Sequence, residues 1–385
     1  MKTTHQFFIG DARKNNQIPS ESVDLVVTSP PYPMIQMWDE VFSNQDPKTR
    51  QAMENQDGLL AFECMNQLLD RVWDEVYRVL KFGGFACINI GDAVRTLNDH
   101  FMLYTNHSRI LNFMLKKGFT PLPAIIWRKQ TNAPNKFMGS GMLPAGAYVT
   151  LEHEYILILR KGGKRLFLKE EDKLHRHKSA FFWEERNQWF SDIWMDLKGT
   201  VQKLNEKDVR KRSAAFPFEL PYRLICMYSN HGDMVFDPFL GMGTTMLAAM
   251  ATGRNSMGVE LEKHFCEPII SRMKTAVDVS NSRISNRLES HIDFISQRIK
   301  SGKPIKHINT HYGFPVITAQ EQNLMIHSLS SIYQTGDCSF EITYSDQPQD
   351  EFCRTWPADN MIVDKPSKKK KPENKIRKPI QLELL

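Results

Sequence analysis

The strongest constraint on the fold lies at residues 237–245, Asp-Pro-Phe-Leu-Gly-Met-Gly-Thr-Thr. An apolar run (Met234, Val235, Phe236) precedes this stretch, and a helical pattern near 244–252 follows it. A second short strand, 256–261, carries an acid, Glu260, 17 residues beyond Gly243. Glycines in a strand-to-helix turn let backbone come close to a ligand, and an acid ending the next strand can accept from ribose hydroxyls. The third glycine of a dinucleotide fingerprint is missing, because Leu247 and Ala248 stand where it would fall. No Gly-Lys-Thr follows, so a phosphate loop is not indicated, and a nucleoside cofactor without a pyrophosphate fits better.

The same alternation runs through the first 127 residues. Asp24-Leu25-Val26-Val27 reads as a strand that stops at Thr28 or Ser29, because Pro30 and Pro31 fix φ and lack donors. Residues 59–80 have helical spacing, with Leu60, Cys64, Leu68, Val72, Val76 and Leu80 on one face. Gly83-Gly84 is expected to end that helix. Residues 85–90 follow as a buried strand, a helix is expected over 101–116 before Gly118, and 125–127 and 155–159 read as further strands. Helices at 218–229 and 284–300 complete the reading, and 305–363 gives no clear assignment. Such alternation predicts an α/β protein with a mostly parallel sheet covered by helices on both faces.

Residues 237–245 resemble the S-adenosylmethionine site of amino-methylating DNA methyltransferases, Asp-Pro-Phe-x-Gly-x-Gly-Thr-Thr, at all seven specified positions. The resemblance implies cofactor-binding roles for Asp237, Pro238, Phe239, Gly241, Gly243, Thr244 and Thr245, with Glu260 at the ribose. Phe216 and Pro217 fall in a stretch that resembles the helix closing that pocket. Ser29-Pro30-Pro31-Tyr32 resembles the family's catalytic turn.

The chemistry suits that turn. An exocyclic amine on a base is a weak nucleophile, because its lone pair is delocalised into the ring. The Ser29 hydroxyl and the Pro30 carbonyl can accept the amine hydrogens, Pro31 keeps the turn rigid, and the Tyr32 ring offers a stacking face for a flipped base. In the family, Ser at the first position usually accompanies cytosine N4, and Asp or Asn adenine N6. Methylation at cytosine carbon 5 is excluded, since none of the six Cys follows a Pro.

Here the catalytic turn precedes the cofactor turn, so the Rossmann-like S-adenosylmethionine-dependent methyltransferase fold is expected to be circularly permuted, in the β-type order. Gly10-Asp11 would then end the strand beside that of Glu260, with Asp11 near the adenine of the cofactor. Arg78 to Gly84 and His153 to Leu157 resemble architectural segments of the family. His153-Glu154 lacks the spacing of a zinc protease motif and His175-x-His177 has no obvious third ligand, so no metal is predicted.

The net charge of +6 is unevenly placed: +7 falls in 365–378, +7 in 128–212, and the rest sums to −8. The expected organisation is a catalytic half (1–160), a basic target-recognition insert (161–212), a cofactor half (213–275), a C-terminal extension (276–364) and a basic tail (365–385). The aromatics between 181 and 194 are expected to be mostly core, with Lys/Arg facing DNA. The expected substrate is double-stranded DNA, methylated at cytosine N4 to protect it from a separate cognate restriction endonuclease. Adenine N6 methylation, or a non-catalytic DNA-binding protein on a methyltransferase scaffold, are the alternatives. No apolar run approaches the roughly 18 residues of a membrane helix. A cytoplasmic, prokaryotic protein is expected, with a homodimer one option for its assembly.

Overall fold

The computed structural model describes residues 1–14, 16–129, 138–139, 143–198 and 216–353. Its frame is a ten-stranded sheet. In chain order the strands are β1 (Lys2–Ile9), β2 (Val23–Thr28), β3 (Leu80–Ile90), β4 (Phe119–Arg128), β5 (His153–Lys161), β6 (Ile193–Trp194), β7 (Met234–Asp237), β8 (Asn255–Glu260), β9 (Leu329–Gly336) and β10 (Ser339–Tyr344). In space they run β6-β4-β5-β3-β2-β7-β8-β1-β10-β9. The middle five, from β3 to β1, are parallel. The flanks are mixed: β5 runs antiparallel to β3 and β4, and β10 antiparallel to β1 and β9.

The permuted order is visible in this arrangement. β7 and β8 come late in the chain yet sit between β2 and β1. β1 pairs in parallel with β8, Ile9 opposite Glu260, and Gly10 N donates to Glu260 O at 2.8 Å.

Every residue of β2 is buried, which is why Val23–Thr28 carries so little polar pattern. It ends where Pro30-Pro31 begins. Helix α1 (Gly58–Val79) buries Cys64, Leu68, Val72, Trp73 and Val76, four of them in the same core cluster as Val23 and Val26 of β2, and Asp57 caps its start by accepting from Leu60 N at 3.0 Å.

Two expectations need correction. Gly83-Gly84 does not end α1. The helix stops when Leu80 turns extended, and both glycines lie inside β3. Gly83 has φ +84°, the β2–β3 register slips beside it, and a Cβ on Gly84 would come within 2.9 Å of Asp24 O. The glycines thus serve a strand irregularity and a close backbone approach. The second helix, α2, covers Asn106–Lys117 and does end at a left-handed Gly118, but residues 100–104 are a strand. Asn98 and Asp99 both take positive φ and turn 93–97 back on 100–104 as a hairpin.

The basic block does not fold as one unit. Residues after β5 emerge at the end of the sheet where β2 and β7 begin, because β5 is antiparallel to β3. Arg165 there pairs with Asp233 at 2.7 Å and Asp24 at 3.5 Å. Helix α3 (Glu170–Lys178) lies against the same end, His175 Nε2 meeting His231 O at 2.7 Å. Helix α4 (Trp183–Trp189) then leads to β6, which returns along β4. Of the six aromatics between 181 and 194, Phe182, Trp189 and Trp194 are buried and Phe190 is exposed. Residues 199–212 of the block, and the basic tail, lie outside the described residues.

Residues 276–353 build part of the same sheet. The β9–β10 hairpin extends it beyond β1, with Phe340, Ile342 and Tyr344 alternating inward. The long helix α5 (Ala276–Lys300) buries Ile284, Leu288 and Ile295, and its Arg287 forms a buried two-pronged pair with Glu185 of α4, at 2.5 and 2.7 Å.

Candidate active site

Both sequence turns open at the same end of the sheet. β2 delivers Ser29 to Tyr32, β7 delivers 237–243, β8 delivers Glu260 and β1 delivers Gly10-Asp11. Together they line a cleft of about 1190 Å³ counted out to its open mouth. Of the sequence-predicted residues, Asp11, Ser29, Pro31, Phe216, Asp237, Pro238, Phe239, Gly241, Thr244 and Glu260 line it. Pro30, Tyr32, Pro217, Gly243 and Thr245 are not among the lining residues.

The glycine turn is shaped by what the cleft must admit. Gly241 (φ +52°) and Gly243 (φ +72°) take left-handed conformations, and helix α6 (Thr244–Ala251) starts at once. A Cβ on Gly241 would meet only Phe239 O at 4.0 Å, and one on Gly10 would meet nothing within 4 Å. Both positions therefore face open space that a side chain would fill. Arg272, from helix α7 (Cys266–Met273), holds the turn from behind by donating to Thr244 Oγ1 at 2.8 Å and Met242 O at 3.2 Å.

Two buried carboxyls organise the floor. Asp237 accepts from Thr28 Oγ1 and Thr245 Oγ1, both at 2.6 Å, and from Phe239 N at 3.0 Å. It thereby ties the cofactor turn to the end of the catalytic strand, and Thr245 acts on this carboxylate. Burial pushes the Asp237 carboxyl up to about 6 against these bonds. Glu260 accepts from Gly241 N at 2.8 Å and Glu262 N at 2.9 Å, and burial pushes it up to about 7. Asp11 is held by Arg13 at 2.6–2.9 Å. Burial works to raise its carboxyl, but the Arg13 side chain and backbone N–H hold it below the usual carboxylate range.

These features fit S-adenosylmethionine. The cleft offers a glycine turn that would cradle the amino-acid arm, an acid at the end of β8 that would accept from ribose hydroxyls, and an apolar wall of Trp38, Phe42, Leu69 and Phe265. Its polar groups favour a nucleoside over a diphosphate: among the described residues its lining carries four acids and one cation, Arg13, which Asp11 already engages.

Beside the cleft the catalytic turn is held by a hydrogen-bond chain. Ser29 Oγ lies 3.1 Å from Tyr32 Oη, which donates to Glu154 Oε2 at 2.9 Å. Asn89 Nδ2 reaches Tyr32 Oη and Glu154 Oε2, each at 2.7 Å, and Lys129 pairs with Glu154 Oε1. Burial, and then the Glu154 charge, push the Tyr32 phenol well above its ordinary value. Its ring packs on Gly91, where a Cβ would come within 2.9 Å.

Sequence reasoning treats His153-Glu154 as architecture and passes over Asn89, Lys129 and Arg272. The only local signal is a lone acid opening an otherwise apolar strand, which an isolated pattern cannot distinguish from a strand end.

The N6/N4 DNA methylase family model matches residues 23–272. Type II methyltransferase M.MthZI of Methanothermobacter thermautotrophicus is 50% identical over 90% of this chain and 96% of its own length. Type II methyltransferase M.MjaI of Methanocaldococcus jannaschii is 48% identical over 77% and 97% respectively. Among solved structures, TTHA0409 of Thermus thermophilus, complexed with S-adenosyl-L-methionine, is 33% identical, covers 71% of this chain and 94% of that one, and has a TM-score of 0.56. The cytosine-N4-specific PvuII DNA methyltransferase shares the fold at 18% identity and a TM-score of 0.50, covering 74% of this chain and 94% of that one. With a cleft and the Ser29–Tyr32 turn together at one end of a permuted sheet, the chain belongs to the N6/N4 family of DNA methylases and is an S-adenosylmethionine-dependent type II DNA methyltransferase.

Proposed function

We propose that the enzyme methylates the N4 amine of cytosine in duplex DNA, on a base flipped out of the helix, within a specific sequence. The observation that carries this reading is Ser29 at the head of the catalytic turn, lining the same cleft as Asp237 and Gly241 of the cofactor turn. The hydroxyl is short and neutral, which suits the family's usual pairing of Ser with cytosine. When bound, S-adenosylmethionine supplies an electrophilic methyl group on a sulfonium.

The chain's own task is then to present the amine. Ser29 Oγ and the Pro30 carbonyl accept its hydrogens, which turns the nitrogen lone pair out of conjugation and toward the methyl. Transfer of the methyl would leave the C–S pair on sulfur, and the amine proton lost in exchange would pass to water. Tyr32, anchored through its hydroxyl, presents ring surface to the displaced base. The methylated site protects DNA from a cognate restriction endonuclease encoded separately.

The test is expression in a host that lacks the modification, followed by digestion of its DNA to nucleosides and mass spectrometry. N4-methylcytosine is the expected product. N6-methyladenine in its place moves the substrate to adenine, and absence of both removes the catalytic reading.

A further inference from the structure

Glu154 is an acid at the start of a strand of the antiparallel flank, 122 residues from Tyr32 in sequence. Nothing in the local sequence demands it there. It is buried, and both its oxygens are engaged next to the turn that handles the target amine.

The hydrogens in this chain can be counted. A carboxylate only accepts, so the hydrogen between Tyr32 Oη and Glu154 Oε2 belongs to Tyr32. Tyr32 has one hydroxyl hydrogen and has spent it. At the 3.1 Å contact between Tyr32 Oη and Ser29 Oγ, Ser29 must therefore be the donor. With its own hydrogen turned away to Tyr32, Ser29 faces the cleft as an acceptor. Asn89 agrees with this polarity: its Nδ2 donates to Tyr32 Oη and Glu154 Oε2 at 2.7 Å and approaches Ser29 Oγ, also as a donor, at 3.5 Å, while Oδ1 is buried with no partner among the described residues. Turning the amide round would set Oδ1 against the carboxylate.

We propose that Glu154 is a positioning residue for methyl transfer, which fixes the hydrogen-bond direction of the Ser29–Tyr32 chain so that Ser29 accepts from the target amine. The proposal rests on the reading of Ser29 as an amine acceptor, and it holds whether the amine belongs to cytosine or adenine. Lys129 completes the device. It occupies Oε1, so a glutamine at 154 would keep its carbonyl toward Lys129 and turn its NH2 toward Tyr32. The NH2 would face the Asn89 Nδ2 donor as well as Tyr32 Oη; Tyr32 would lose the acceptor that takes its hydrogen and be free to donate to Ser29, whose own hydrogen would then point at the amine it should accept from. Glu154→Gln thus reverses the chain with almost no change in size.

The experiment measures single-turnover methylation of duplex DNA at saturating cofactor for wild type, E154Q, Y32F, the E154Q/Y32F double variant and S29A. Cofactor affinity is measured in parallel. E154Q is expected to slow methylation by about 10- to 100-fold, the cost of one misdirected buried hydrogen bond. S-adenosylmethionine affinity should stay within about twofold of wild type, and E154Q should add less than about twofold to the loss already caused by Y32F. Wild-type rates in E154Q, losses that multiply in the double variant, or a loss seen in cofactor affinity would overturn the proposal. If E154Q does not fold, Y32F carries the test alone, since it keeps the ring and removes the relay oxygen, and a wild-type rate in Y32F overturns the proposal equally. S29A at a wild-type rate would instead overturn the acceptor reading beneath it, an outcome distinct from inactive S29A with intact E154Q.

Discussion

Glutamine at Glu260 should separate stability from cofactor binding. The Glu260 carboxyl sits at about 7 in the fold against 4.5 for an ordinary glutamate, because burial outweighs the two backbone N–H groups it accepts from. That difference amounts to about 3 kcal/mol. A raised acid contributes fully to stability below pH 4.5 and loses the contribution as pH climbs through about 7. At pH 8 the cofactor-free enzyme therefore carries the whole penalty. Glu260→Gln removes it, but the amide can accept only one of the two N–H groups, and the other costs about 1–3 kcal/mol unsatisfied. The variant should thus be as stable as wild type at pH 8, or more stable by up to about 2 kcal/mol.

Binding should move the other way. Losing one charge-assisted acceptor for a ribose hydroxyl costs about 2–3 kcal/mol, roughly 30- to 150-fold in affinity. Because the ionised carboxylate is the better acceptor, wild-type affinity should rise from pH 6 toward 8 and level off above about 7. Calorimetric titration with S-adenosylmethionine at pH 6, 7 and 8, beside urea unfolding of both proteins, measures all of this. E260Q serves as the control for the cofactor's own titration. A wild-type affinity no steeper with pH than that of E260Q, or E260Q binding as tightly as wild type, refutes the reasoning.

Three further outcomes are expected. Gly10→Ala places a methyl in open cleft without touching protein, so cofactor affinity should fall by about 1–3 kcal/mol while the cofactor-free melting temperature holds; unchanged affinity would put the cofactor elsewhere. Glu185→Ala leaves Arg287 buried without its carboxylate partner and should cost about 3–5 kcal/mol in urea unfolding, with little change if the pair were dispensable. Neutralising Lys203, Lys207 and Arg210 should weaken DNA binding and flatten its salt dependence by roughly 0.9 for each phosphate no longer neutralised. The same change at exposed Lys164 and Lys169 should leave both nearly unchanged, because 162–178 lies at the opposite end of the sheet from the cleft; anisotropy titrations at several salt concentrations distinguish the two.

Much of this site is legible in the sequence because its constraints are local. Proline pairs end strands, positive-φ turns take glycine, and an acid ends a strand where a ribose would lie. Those rules, together with the family resemblance, single out Ser29, Gly241 and Glu260. The same local reasoning misassigns Gly83-Gly84, since a glycine pair reads alike whether it ends a helix or kinks a strand.

By itself the sequence determined the strand–helix alternation and the two turns, because each depends on residues adjacent along the chain, while the permuted order came from the family resemblance and is seen in the place of β7 and β8 between β2 and β1. Only the tertiary structure decided the consequences of strand direction. A strand's apolar pattern is identical whether it runs parallel or antiparallel. Yet the antiparallel course of β5 brings Glu154, its second residue, to Tyr32. It also sends the basic residues that follow β5 to the far end of the sheet. The bond from Thr28 to Asp237, spanning 209 residues, joins the two halves in the same way. Such contacts are set by which strand ends share an edge, a property of the packed sheet that no window of sequence contains.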